Sequence, residues 1–87
     1  MDSAKKYQLL FTQLIVMFHA ATMQQLGKVK HPVTEKIEKN LEAAENTIDI
    51  LDMLQVKTKG NLAADEEMLL TQILQELKLA FVQEKQS

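Results

Sequence analysis

The chain is predicted to fold as an all-α protein of three main helices. Two glycines and one proline in 87 residues allow few breaks, and aromatic residues make up only 5%, a composition suited to helices and poor in turns. Apolar residues recur at spacings of three and four between those breaks, which is the period of a helix burying one side. Cysteine is absent, so the fold holds through apolar burial or association rather than disulfides. Eighty-seven residues form one small domain and no second.

The first helix is expected over about residues 7–26. Lys5 and Lys6 precede a stretch, 7–27, without one formally charged side chain, long enough as a helix to cross about 30 Å. Gln8, Thr12, Gln13, His19, Thr22, Gln24 and Gln25 interrupt it, and that polarity argues against both a membrane span and a secretory signal. At about 100° per residue, Leu10, Phe11, Leu14, Met17, Phe18 and Ala21 share one face. Leu9, Val16, Ala20 and Met23 lie nearly opposite, with Thr12 and His19, and Gln13 and Gln24, as polar seams between. One face packs on the rest of the chain and the other awaits a partner; the pattern leaves open which turns inward.

Gly27 suits the left-handed cap of that helix, and residues 28–32 form a connection in which Pro32 holds His31 extended. The second helix opens at Thr34 or at Asn40, both acceptable caps, and runs to about 58. Ile37, Leu41, Ala44, Ile48, Leu51 and Leu54 give it a single apolar seam. Lys57 and Lys59 complement the negative end of its dipole and Gly60 stops it, making 57–62 a helix-breaking turn. Asp65, Glu66 and Glu67 then load the first turn of a third helix, expected over about 63–84. Its main face carries Leu69, Leu70, Ile73, Leu74, Leu77, Ala80 and Phe81, and a weaker strip carries Met68, Leu79 and Val82. Residues 1–6 and 84–87 are expected to fray.

The run from Ile48 through Asp49, Leu51, Leu54, Lys57, Thr58, Gly60 and Asn61 to Leu62 reads IDxLxxLxxKTxGNL. With Glu66, Glu67, Leu69 and Leu70, and then Leu77, Phe81 and Val82, it resembles the bacterial domain-of-unknown-function family 1844, over roughly residues 9–82. The pairs Leu26-Gly27 and Asn40-Leu41 sit where that family ends one helix and opens the next. Two positions depart from its pattern: Ala63-Ala64 replace a frequent Thr or Ser cap and Pro, and Lys78 stands where arginine is common. The missing cap weakens the third helix by about 1 kcal/mol. The resemblance implies a small cytoplasmic all-helical protein and brings no activity, ligand or catalytic residue with it.

Chemistry has little to work with. Glu35, Glu38, Glu42, Glu45, Asp49 and Asp52 fall at spacings of three and four and would line one strip of a continuous helix, shrinking to four acids if that helix opens at Asn40. A di-iron bundle needs Glu-x-x-His pairs, and none occurs, so the strip reads as a solvated or salt-bridging flank. His19 reads as a core or interface histidine bonded to a carbonyl or threonine, and His31 as a loop residue. The only serines, Ser3 and Ser87, lie at the ends, and no phosphate-cradling loop or zinc spacing exists. Ten lysines and no arginine against twelve acids, a net charge of −2, argue against nucleic acid.

The expectation is therefore a non-catalytic bundle without cofactor or metal, in which the second and third helices form an antiparallel hairpin completed by the first. So small a domain buries only about 60% of its unfolded surface alone. A homodimer or higher homo-oligomer is expected, through Leu10, Leu14, Met17, Phe18 and Ala21 or through the opposite strip. Lys57, Lys59 and Asn61 on the turn, with Glu45, Asp49 and Asp52, offer a surface to an unidentified protein partner. The alternatives are a membrane-associated module anchored through 7–27 and a small metal-carboxylate protein.

Overall fold

Three helices, and no strand, are found among residues 2–86, which the computed structural model describes; Met1 and Ser87, both expected to fray, lie outside the described residues. α1 spans Ser3–Gln25, α2 Leu41–Lys57 and α3 Ala64–Gln86.

α1 begins earlier than its apolar pattern suggests, because Asp2 caps it. The Asp2 carboxylate accepts the Lys5 N–H at 2.8 Å, so residues 3–6, expected to fray, are helical. At its other end Gly27 takes φ +78°, its N–H donates to the Gln24 carbonyl, and the Lys28 N–H donates to Met23. This pair of bonds is a Schellman motif, which needs a left-handed residue at the glycine position.

The choice between Thr34 and Asn40 falls on Asn40. Its side chain accepts the Ala43 N–H at 3.0 Å, while Glu35, one residue after Thr34, has φ +58° and cannot continue a helix. His31 organises the connection instead: its Nδ1 accepts the Val33 N–H, and its own N–H and carbonyl bond Lys36 and Glu35. Ile37, expected to start the apolar seam, is consequently outside α2 and exposed.

α2 closes with the Thr58 hydroxyl donating to the Leu54 carbonyl at 2.6 Å, followed by Gly60 at φ +86°. At the start of α3 the alanine at position 63 supplies no side-chain cap. Glu66 compensates by accepting the Ala63 N–H at 2.8 Å, the returning half of a capping box.

The hairpin of α2 and α3 is antiparallel, with Gln55 bonded to Thr71 and Asp52 to Lys78. α1 packs against both. It runs antiparallel to α2, since Gln25 at its end meets Asn40 and Thr47. It runs parallel to α3, since Gln8 and Thr12 line a cleft with Glu66 and Leu69 while His19 reaches Glu76. Ile15, Ile48, Leu51, Leu70, Ile73, Leu74 and Leu77 form the core, with Phe11, Phe18 and Phe81 among the residues closing its rim. The molecule is elongated, 43 × 26 × 16 Å, with a radius of gyration of 14.1 Å where a compact chain of this length has about 12 Å. It exposes 6186 Å², about 1,000 Å² more than surface–mass scaling gives for a compact monomer of this size.

Candidate functional site: the outer face of α1

Phe11, Ile15, Phe18 and Thr22 of α1, with its cap residue Leu26, fall at spacings of four, three, four and four and form the edge that turns inward. This edge lies between the two faces that hydrophobicity alone distinguishes. Thr22 is fully buried on it because its hydroxyl donates to the Phe18 carbonyl at 2.7 Å, leaving no polar atom unpaired. Phe18, placed in the association surface by the sequence, therefore belongs to the core rim: its neighbours at the same edge are Ile15 and Thr22, and together they rotate it away from solvent.

What remains outside is apolar. Leu10 is 48% exposed, Leu14 37% and Met17 66%, while Ala21 is half-buried. With Tyr7 they occupy positions 7, 10, 14, 17 and 21, the alternating three-and-four spacing by which one helix presents a seam to another. Leu9, Val16 and Ala20 are exposed beside them, and Met23 turns partly toward the core. No formally charged side chain interrupts α1 between Lys6 and its end. Leu10, Leu14 and Met17 keep between a third and two-thirds of their surface in water within the chain, and their continuity along one helix face marks an interaction surface rather than scattered exposure.

The other candidates are dispersed or already paired. Glu35 and Glu38 stand on the connection, off the acidic strip, leaving Glu42, Glu45 and Asp49 exposed on α2, while Asp52 is bonded to Lys78 at 2.8 Å. Among the described residues no three His, Asp or Glu side chains converge as a metal would require. His19 Nε2 lies 3.2 Å from Glu76 Oε1, so the partner of this half-buried histidine is a carboxylate of α3 rather than the expected carbonyl or threonine. Lys57, Lys59 and Asn61 are exposed around the turn, where Gln55, Val56, Leu62 and Glu67 border a cleft of about 260 Å³ together with Lys59.

Two polar joints have no local signal in the sequence. The Thr47 hydroxyl donates to Gln25 Oε1 at 2.9 Å, across 22 residues of chain. Glu84, at the end of α3, holds both Lys28 and Lys39 and so pins the connection to the bundle. Hydrogen bonding from Lys28, then from Lys39, lowers its carboxyl to about 2 from the ordinary 4.5.

No helix among the described residues is long and apolar enough to cross a membrane. No curated protein and no solved structure matches the chain. A family model does match, over residues 8–83, nearly the whole length. The chain thus belongs to the family described as Domain of unknown function (DUF1844), here an all-helical bundle of a hairpin packed on an apolar N-terminal helix.

Proposed function

We propose that this protein is a non-catalytic, cytoplasmic interaction module that works as a homodimer, using the outer face of α1 to meet a second copy. The observation that carries this is the continuous strip Leu10, Leu14, Met17 and Ala21 on a helix face with no charge. An uncharged apolar strip can abut its own copy without like-charge repulsion, and one self-complementary patch is enough to close a dimer. The excess of about 1,000 Å² over a compact monomer compares with about 800 Å² per partner in a standard interface. Pairing leaves Glu45, Asp49 and the 57–62 turn free for a further protein partner.

The test is the mass of the untagged protein by light scattering on a sizing column across a tenfold dilution, for wild type and Leu14→Glu. Twice the 9.9 kDa chain mass for wild type, and a single chain mass for a variant with unchanged helical circular dichroism, are expected. A wild type that stays monomeric throughout overturns the proposal.

A further inference from the structure

We infer that two copies pair with their α1 helices antiparallel, the two-fold axis passing beside Leu14, an orientation that rests on the dimer proposed above. The seam itself is lopsided about that residue. Seven positions toward the amino end it carries Tyr7, large and 66% exposed; seven positions toward the carboxyl end it carries Ala21, small and half-buried. Antiparallel pairing about Leu14 sets Tyr7 of one copy over Ala21 of the other, Leu10 against Met17, and Leu14 against Leu14. A parallel pairing stacks two tyrosines at one end and leaves two alanines facing across a gap at the other, which packing disfavours.

The antiparallel order also sets opposite ends of the two helix dipoles side by side.

The chain has no cysteine, so single introduced cysteines report the orientation directly. Leu14→Cys, Tyr7→Cys and Ala21→Cys variants are oxidised mildly at a concentration where scattering reads a dimer. In the antiparallel pair two copies of position 7 stand fourteen residues apart along the axis, about 21 Å, beyond the roughly 7 Å that a disulfide spans. Leu14→Cys is expected to cross-link with itself, Tyr7→Cys alone to stay uncross-linked, and Tyr7→Cys mixed with a mass-tagged Ala21→Cys to give the mixed covalent dimer. A Tyr7→Cys homodimer overturns the antiparallel order while leaving the α1 interface standing. A dimer by scattering in which Leu14→Cys stays uncross-linked overturns the α1 interface and the orientation together. A monomeric wild type overturns the dimer on which both rest.

Discussion

Thr47 and Gln25 are bonded side chain to side chain where the end of α1 meets the first half of α2, the threonine hydroxyl donating to the amide oxygen at 2.9 Å. The same hydroxyl lies 3.0 Å from the Ala43 carbonyl, and the Gln25 carbonyl accepts the Asn40 N–H at 2.7 Å. Gln25 thus clasps α2 twice, once through its backbone and once through its side chain, and sets the register of the antiparallel pair. Thr47 is buried, so its hydroxyl depends on these partners. Thr47→Val is expected to cost about 1 kcal/mol in urea unfolding, and Gln25→Ala less, because the Ala43 carbonyl still satisfies the hydroxyl. Equal losses in both variants would show that the Ala43 bond does not hold the hydroxyl alone.

The start of α3 offers a gain. Glu66 already accepts the Ala63 N–H, but the alanine returns nothing to the N–H groups of the first turn. Ala63→Ser completes the reciprocal capping box and is expected to stabilise the protein by about 0.5–2 kcal/mol, read as a higher midpoint in urea. Adding Glu66→Ala to the serine variant should remove part of that gain. A serine that leaves the midpoint unchanged would mean that the Asp65 carboxylate, which already accepts the Glu66 N–H at 3.0 Å, serves the first turn as well.

Much of this architecture is legible in the residues, and the reasons divide cleanly. α2 is readable because Leu41, Ala44, Ile48, Leu51 and Leu54 stand on one side of an otherwise polar helix, so periodicity alone finds the buried edge. In α1 the same method stalls: Leu9 and Val16 are as apolar as Phe11 and Ile15, and a helix greasy all round carries no phase. The edge chosen contains Thr22, which earns its place only by bonding its own helix at Phe18. The cap at Asp2 was hidden because the apolar pattern starts later than the helix does. Glu84 with Lys28 and Lys39, and Glu76 with His19, join residues distant in the chain, and pairings of that kind follow from the packed bundle rather than from local spacing.

Glu84 makes the fold's stability depend on acid. Its folded carboxyl titrates at about 2, below the ordinary 4.5, because Lys28 first and Lys39 second favour the charged form. A carboxylate with a lowered folded value contributes stability that is fully present above the unfolded value and is lost as pH falls through the folded one. The difference in stability between wild type and Glu84→Gln should therefore stay constant from neutral pH to about 5.5, then shrink and vanish only below 2. Denaturant titrations of both proteins across that range measure it. A difference that persists at the acid end would assign the loss to packing of the side chain rather than to its charge.

Gly27 and Gly60 hold the same left-handed backbone in different surroundings, and alanine at each position separates strain from crowding. Gly60, at φ +86°, has no atom beyond its chain neighbours within 4 Å of the place a Cβ would occupy, so Gly60→Ala meets backbone strain alone, about 1–2 kcal/mol. Gly27, at φ +78°, would bring its new Cβ to 3.4 Å from the Lys39 Cβ and 3.6 Å from the Ile37 methyl. Those distances are ordinary van der Waals contact, but the two residues belong to the connection that Glu84 ties down through Lys39, so the backbone at position 27 has less room than the open turn at 60 to relax its strain unless that connection shifts. Gly27→Ala is expected to destabilise more than Gly60→Ala, and the added Glu84→Gln, by loosening the connection, to narrow the gap between the two. Asparagine, which tolerates the left-handed region, should recover part of the loss at position 60 and less at position 27. Unfolding midpoints of the variants decide the matter: equal losses at the two glycines would show that the connection yields freely and that strain alone sets the cost.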